Sequence, residues 1–277
     1  MSEAVDNPSN ALLAALSRVD HGRLARQMEL VDVTREQTIF DADVPQRRVL
    51  FPVDCIVSLQ TLLSDGSADE IAIVGNDGAV GIAMAMGKSS APRRALVRHA
   101  GRAWQIGADC LREETRRNGE TQLVLMRYAQ ALLNQIAQTA VCNRHHTLGQ
   151  QLCRWLLMTL DRLPSNQLTV TQEQIANMLG VRREGVTEAA GKLQRSGAIR
   201  YRRGRIEVLD RAKLEGASCE CYRAAAGDCL RRPPTLFIVD STRGDMRRDT
   251  DIAREHRLHA TGSSAELPSA ARLQRSS

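Results

Sequence analysis

The chain has 277 residues, a formal charge of +6, and a composition that is 43% hydrophobic but only 3% aromatic. That length suits two modest domains joined by helices. The lack of aromatic faces argues against a carbohydrate-binding cleft or a base-stacking single-strand binder. A basic balance favours polyanionic partners where the charge clusters.

No apolar run approaches the length that crosses a bilayer. The opening MSEAVDNPSN lacks the basic-then-apolar layout of a signal peptide. The expectation is therefore a cytoplasmic protein without a membrane partner. Cysteines stand at Cys55, Cys110, Cys142, Cys153, Cys219, Cys221 and Cys229. An odd number, mostly scattered through apolar segments, suits small core residues in a reducing compartment better than a disulfide framework.

In chain order, residues 1–10 read as a loose tail, and ALLAALSRVDHGRLARQMEL reads as a helix anchored by Leu12, Leu13, Leu16, Leu24 and Met28. From Val31 to Gly107, β-rich runs such as VLFPVDCIVSLQTLL, EIAIVG, ALVRHA and AWQI alternate with turn signals at Ser64-Asp65-Gly66, Asn76-Asp77-Gly78 and Gly101. Short, closely punctuated strands predict an antiparallel roll or barrel. Residues 121–144 contain no Gly or Pro, and Leu125, Leu132 and Ile136, with Ala129 and Thr139, form an apolar stripe. A single roll would not fully cover that stripe, so the segment is expected to hold a homodimer.

A second helix, Thr147 to Leu163, stops at Pro164, and RAKLEGASCECYRAAAGDCL reads as a closing helix. Beyond Arg231 the pattern is polar and aperiodic, which predicts a disordered tail dispensable for binding. The expected domains are 11–115, a long helix at 116–145, 146–215, and 216–277 as a helix followed by the tail.

Function concentrates in TVTQEQIANMLGVRREGVTEAAGKLQRSGAIRYRRGRIEVLD. Thr171 and Gln174 make a capping box that opens a helix at Gln172–Leu179. Gly180 suits a left-handed exit, a second helix runs from Arg182 to Ser196, and Gly197 closes it. Ala176 permits a close crossing, while Ile175, Leu179, Val186 and Leu193 fill the shared core. This is the helix-turn-helix arrangement, followed by a two-strand wing turning at Arg203-Gly204-Arg205.

From Val181 to Arg205, eight basic residues against two acidic ones leave +6, equal to the charge of the whole chain. Basic groups at the start of the second helix and on the wing, including Arg203 and Arg205, can meet phosphates. Arg183 and Glu184 can reach base edges, arginine toward guanine and glutamate toward the cytosine amino group.

Gln172-Glu173-Gln174-Ile175-Ala176 through Arg183-Glu184-x-Val186 resembles the DNA-binding signature of the Crp/Fnr family, and the resemblance extends over most of residues 11–215. It implies an α+β fold: an N-terminal antiparallel, cyclic-nucleotide-binding-like β-roll, a long dimerisation helix and a C-terminal winged helix-turn-helix. It also implies base-reading roles for Arg183, Glu184 and Glu188, and phosphate contacts for Thr171, Gln172 and Arg182. Gly185 stands where members commonly carry a hydroxyl, and Glu188 where the best-known ones carry arginine, so the operator is expected to differ from theirs. Ala79 occupies the position of the family's ribose-binding glutamate, while Arg93 and Arg94 fall near its cyclic-phosphate positions. Cyclic AMP is accordingly not expected as an obligatory effector, and the effector is left open.

Two cysteine sets invite a metal reading. Cys142, His145, His146 and Cys153 match no closed zinc pattern, and Cys219, Cys221 and Cys229 have no histidine near them in sequence, so neither set is assigned a metal. No catalytic motif or cofactor is expected. The leading expectation is a homodimeric, sequence-specific transcription regulator on inverted-repeat duplex DNA, with RNA polymerase as a further partner. The alternative is a ligand-binding sensor that acts through protein contacts, its helix-turn-helix vestigial.

Overall fold

In the computed structural model, which describes residues 9–64, 66–87, 90, 92–117 and 119–228, the first apolar segment forms two helices rather than one. Asn10 caps α1 (Ala11–Ala14), its side-chain oxygen accepting from the amides of Leu12 and Leu13 at 3.1 Å. Ser17 caps α2 (Arg18–Ala25) by accepting from the Asp20 amide. A strong N-cap residue inside an apolar run ends one helix and begins another. Asn10 does not belong to a tail: it is fully buried and donates to the carbonyls of Pro52 and Gly78, both at 2.9 Å. The remaining tail residues 1–8, the tail beyond Arg231, and Cys229 lie outside the described residues.

The described strands of the roll are β1 (Glu29–Val33), β2 (Thr38–Phe40), β3 (Arg48–Pro52), β4 (Ile56–Leu62), β5 (Ala68–Val74), β6 (Arg94–His99) and β7 (Gly101–Gly107). They pair antiparallel in two sheets, ordered β1-β7-β3 and β2-β6-β4-β5. The long run VLFPVDCIVSLQTLL breaks between Pro52 and Ile56 and passes from the first sheet to the second. A short α3 (Ile82–Ala85) follows the turn at Asn76-Asp77-Gly78.

After α4 (Ala108–Arg117) comes α5 (Gly119–His145), 27 residues long and so about 40 Å from end to end. Leu125 and Tyr128 of α5 enter the core built by Leu12, Phe51 and Ile106. Leu132 and Ile136 pack against the core of Val57, Leu59 and Ala72, and Gln135 donates to the Ile73 carbonyl at 3.1 Å. The stripe that the sequence offers to a second copy is thus spent on the chain's own roll. Its residues join the two β-cores, and covering them removes apolar area from water. A different face of α5 is left exposed, with Leu123, Met126, Leu133, Ala137 and Ala140 on it. Leu133 keeps 58% and Met126 52% of their surface, and the steps of three, seven, four and three residues between these positions make a heptad-like seam.

Thr147 and Gln150 form a capping box ahead of α6 (Leu148–Leu160). The remaining elements are β8 (Gln167–Thr169), α7 (Gln172–Leu179), α8 (Arg183–Arg195), β9 (Ile199–Arg202), β10 (Arg205–Val208), α9 (Arg211–Ala217) and α10 (Glu220–Asp228), with a sheet ordered β8-β10-β9. The closing segment is two helices, because Ser218 adopts extended backbone (φ −80°, ψ 166°) between α9 and α10. One core joins α6, α7, α8 and the small sheet, and it includes Ile56 and Ile73 of the roll. Polar ties reinforce that junction. The Arg162 guanidinium grips the Asp77 carboxylate at 2.7 and 2.9 Å, and the Trp155 indole donates to Glu70 Oε1 at 3.0 Å.

Glu70 is a buried carboxyl whose second oxygen has no hydrogen-bond partner. Desolvation pushes its pKa above the ordinary value, and the nearby Ser58 hydroxyl, Arg98, Trp155 and Arg154 offset this only in part. The folded state holds this proton more tightly than the unfolded chain does, so stability is lost as pH rises through and above the ordinary carboxylate value of 4.5. Glu70→Gln keeps an acceptor for Trp155 and removes the buried charge. Thermal unfolding should show the variant a few degrees more stable at pH 8, at roughly 2–4 °C per kcal/mol. The advantage should vanish as pH falls toward 4.5, and an equal gain at both ends would contradict this account.

Candidate nucleic-acid interface

The two helices of the motif are fixed from both ends. Thr171 and Gln174 form the expected capping box, with the Gln174 amide donating to Thr171 Oγ1 at 3.2 Å and the Thr171 amide to Gln174 Oε1 at 3.0 Å. Gly180 leaves α7 in the left-handed region (φ 62°), as predicted, and the Val181 amide then closes onto the Ala176 carbonyl at 3.0 Å. Ile175, Ala176, Leu179, Val186 and Leu193 are all buried in the shared core. Gly185 faces α6: a side chain there would begin 2.8 Å from Leu148 Cδ2, so a residue bearing a hydroxyl would push against that contact. Thr187 donates to the Gln172 side-chain oxygen at 2.8 Å, linking the two helices on their exposed side.

The wing is equally constrained. Arg205 pairs with Arg202, leaving Arg203 and Gly204 as a two-residue loop with φ of 48° and 74°. Positive φ at both positions is the type I′ hairpin turn, whose twist suits the flanking strands. The Val170 amide donates to the Gly204 carbonyl at 2.8 Å and the Tyr201 hydroxyl to the Val170 carbonyl at 2.9 Å, while the Tyr201 amide donates to the Gln194 side chain at 2.7 Å. Arg203 is therefore held beside the start of α7.

Thr171, Gln172, Glu173, Arg183, Tyr201, Arg203 and Gly204 together line a cleft of about 440 Å³. Arg182, Arg183, Glu184, Glu188 and Arg205 are exposed around it. Among the described residues, no carboxylate holds Arg182, Arg183, Arg203 or Arg205, whereas Arg200 is paired with Glu207 at 2.8 Å. Glu188 pairs with Lys192 at 2.8 Å, and that bond holds its carboxyl below the usual range. Free cations at the start of α8 (Arg182, Arg183) and on the wing (Arg203, Arg205), beside the N-terminus of α7, are groups that can meet phosphate oxygens. Tyr201 lines the cleft as well; no motif in the sequence marks it, because its role comes from the pairing register of the wing.

The effector positions read differently. Ala79 is fully buried, its carbonyl accepts the Tyr128 hydroxyl at 2.9 Å, and a side chain at Gly78 would begin 2.5 Å from the Tyr128 ring. Arg94 is held by Asp41 through two bonds, at 3.0 and 3.1 Å. Arg93 is half-buried just ahead of β6.

The cysteines regroup as well. Cys142 and His146 from the end of α5 meet Cys219 and Cys221, while His145 is exposed and Cys153 is not one of the four. Two residues from each set, more than seventy positions apart in sequence, form one cluster in space.

The class this geometry defines is a winged helix-turn-helix nucleic-acid-binding module mounted on an antiparallel β-roll. Residues 150–217 match the Crp-like helix-turn-helix domain, and the chain shares its fold, over about two thirds of its length, with solved Crp/Fnr-type regulators. FixK2 from Bradyrhizobium japonicum superposes with a TM-score of 0.61 at 17% identity, over 69% of this chain and 98% of that one. A Crp/Fnr-family transcriptional regulator from Thermus thermophilus gives 0.56 at 21% identity, over 69% and 98%. The c-di-GMP-responsive regulator CLP from Xanthomonas campestris gives 0.56 at 14% identity, over 69% and 99%. The sequence matches no curated protein at a significant level. No helix among the described residues is long and apolar enough to cross a membrane.

Proposed function

We propose that this protein is a dimeric, sequence-specific transcription regulator that grips an inverted-repeat operator with two copies of the α7–α8 motif and its wing. The observation that carries the reading is the cleft between Thr171, Arg183 and Arg203, whose cations are left without carboxylate partners at two adjacent helix N-termini. Arg183 and Glu184 read base edges from the exposed start of α8. Thr171, Gln172, Arg182, Arg203 and Arg205 contact phosphates. Glu188 reads a third position once DNA draws it from Lys192. The exposed Leu123–Met126–Leu133 seam of α5 supplies the two-fold contact, in place of the Leu125–Leu132–Ile136 stripe.

The roll acts as a sensor whose effector is not cyclic AMP, since Tyr128 occupies the space beside Ala79 and Asp41 already neutralises Arg94. A regulator of similar fold answers to c-di-GMP, so a ligand other than cyclic AMP is compatible with this architecture. A cytoplasmic location follows from the DNA-binding role.

Selection of duplexes from a random pool should enrich an inverted repeat with half-sites about one helical turn, roughly 34 Å, apart. Recovery of a single asymmetric site, or no enrichment, would count against the reading. Calorimetry should show no saturable cyclic AMP binding, and tight binding coupled to a large gain in DNA affinity would refute the exclusion of cyclic AMP as the effector.

Within the interface, Arg183→Ala should cost about 1–3 kcal/mol on the selected operator and relax preference at one base pair per half-site. Arg203 needs a substitution that accepts its left-handed backbone, so Arg203→Asn is the fair test. It should weaken operator and scrambled duplex alike and lower the salt slope by roughly one unit per contact removed. If Arg183→Ala weakened both duplexes equally while Arg203→Asn changed base preference, the roles of helix and wing would be reversed.

A further inference from the structure

We propose that Cys142, His146, Cys219 and Cys221 form a structural zinc site that locks the C-terminal helix α10 onto the end of α5. The ligand atoms of these four residues all lie within 4.8 Å of one another. The sulfurs of Cys142 and Cys219 are 3.6 Å apart, and the Cys221 sulfur is 3.4 Å from His146 Nδ1. In a tetrahedral zinc site with Zn–S bonds near 2.3 Å, ligand atoms sit roughly 3.5–3.8 Å apart. These two pairs are within about 0.1 Å of such edges, and the remaining pairs, all within 4.8 Å, need only a small contraction to close the tetrahedron.

The surroundings have the features of a metal site. His146 turns its other nitrogen, Nε2, to the Glu220 carboxylate at 3.1 Å. A histidine that ligates through one nitrogen usually donates its other N–H to a carboxylate, which fixes its tautomer and orientation. The Gln138 amide donates to the Cys221 sulfur at 2.9 Å, a bond that suits a metal-bound thiolate. Gln151 donates to the His146 carbonyl at 2.9 Å and holds the corner between α5 and α6.

Charge also balances. Three thiolates and a neutral imidazole around a divalent ion leave one negative charge, and the buried Arg154 guanidinium lies close enough to act on the Cys142 sulfur. Its Nε has no hydrogen-bond partner among the described residues. Each thiol releases its proton as the metal–sulfur bond forms, and no electrons are exchanged. The three cysteines are 4% exposed or less and form a small buried cluster of their own. A closed Cys₃His set leaves no open coordination position, which marks the site as structural rather than catalytic.

The extended backbone at Ser218 is what aims Cys219 at Cys142. The site does not depend on the DNA-binding reading. A disulfide between Cys142 and Cys219 would need the sulfurs to close to about 2.05 Å, and it would leave Cys221, His146 and the Glu220 bond without a purpose.

The test uses the full chain, purified reduced and without chelators. Elemental analysis should find about one zinc per chain. Exchange with Co²⁺ should give the intense visible bands of a tetrahedral ion together with sulfur-to-cobalt charge transfer. Cys221→Ser and His146→Ala should lose that spectrum, whereas Cys153→Ser, a buried thiol outside the four, and His145→Ala, on the exposed neighbour, should keep it. Should the ligand variants fail to fold, Glu220→Gln decides the matter. Its exposed side chain is not a ligand, and it should weaken Co²⁺ affinity roughly 10–100-fold while leaving the spectrum tetrahedral. Wild-type protein without zinc and without a thiolate–cobalt spectrum would overturn the proposal. A Cys142–Cys219 disulfide in the isolated protein, or unchanged affinity in Glu220→Gln, would do so as well.

Discussion

One helix has to satisfy several surfaces at once, and the rest of the molecule is arranged by how it does so. Along α5, Leu125, Tyr128, Leu132 and Ile136 close the two cores of the roll. The last turn meets α10 through Cys142 and His146. The face bearing Leu123, Met126 and Leu133 stays open to solvent. Because side chains on one helix are fixed at 3.6 residues per turn, these assignments cannot be exchanged without rotating the whole rod. A ligand that shifted the roll, or a second copy docked on the open face, would therefore act on the same rigid element that leads into the helix-turn-helix unit.

The roll and the helix-turn-helix also touch directly. Arg35 and Glu36 bond the side chain of Gln174, the residue that caps the first helix of the motif. Trp155 and Arg162 reach Glu70 and Asp77 of the roll. The turn that carries Asp77 is also gripped by Asn10 and Tyr128. Two-state behaviour in this protein would have to break or exchange these particular bonds, which gives any conformational coupling a defined structural content.

Much of this was legible in the chain. The capping box at Thr171, the left-handed Gly180, the buried Ile175–Val186–Leu193 core and the wing turn are local, so spacing and residue type specify them. What the sequence concealed depends on long-range packing. Periodicity marked one apolar stripe on α5, through Leu125, Leu132 and Ile136, and gave it to a second copy, whereas the roll took it. Asn10, in a segment that reads as tail, is buried because its side chain bridges carbonyls 42 and 68 residues away. Ser17 and Ser218 break segments whose composition reads as continuous helix. The cysteine cluster was hidden for the same reason: its halves are far apart in sequence, and only the break at Ser218 turns one half toward the other.

The division of α5 into a roll-facing and a free face is most directly tested on two neighbouring leucines, about 100° apart around the helix, one packed on the roll and the other exposed. Sedimentation equilibrium and circular dichroism on Leu133→Glu and Leu132→Glu would separate the two faces. Leu133→Glu should give a folded monomer with native helix content. Leu132→Glu, which places a charge against the Val57–Leu59 core, should lower thermal stability before it alters association. A dimer that survives Leu133→Glu, or a folded monomer produced by Leu132→Glu, would contradict the account.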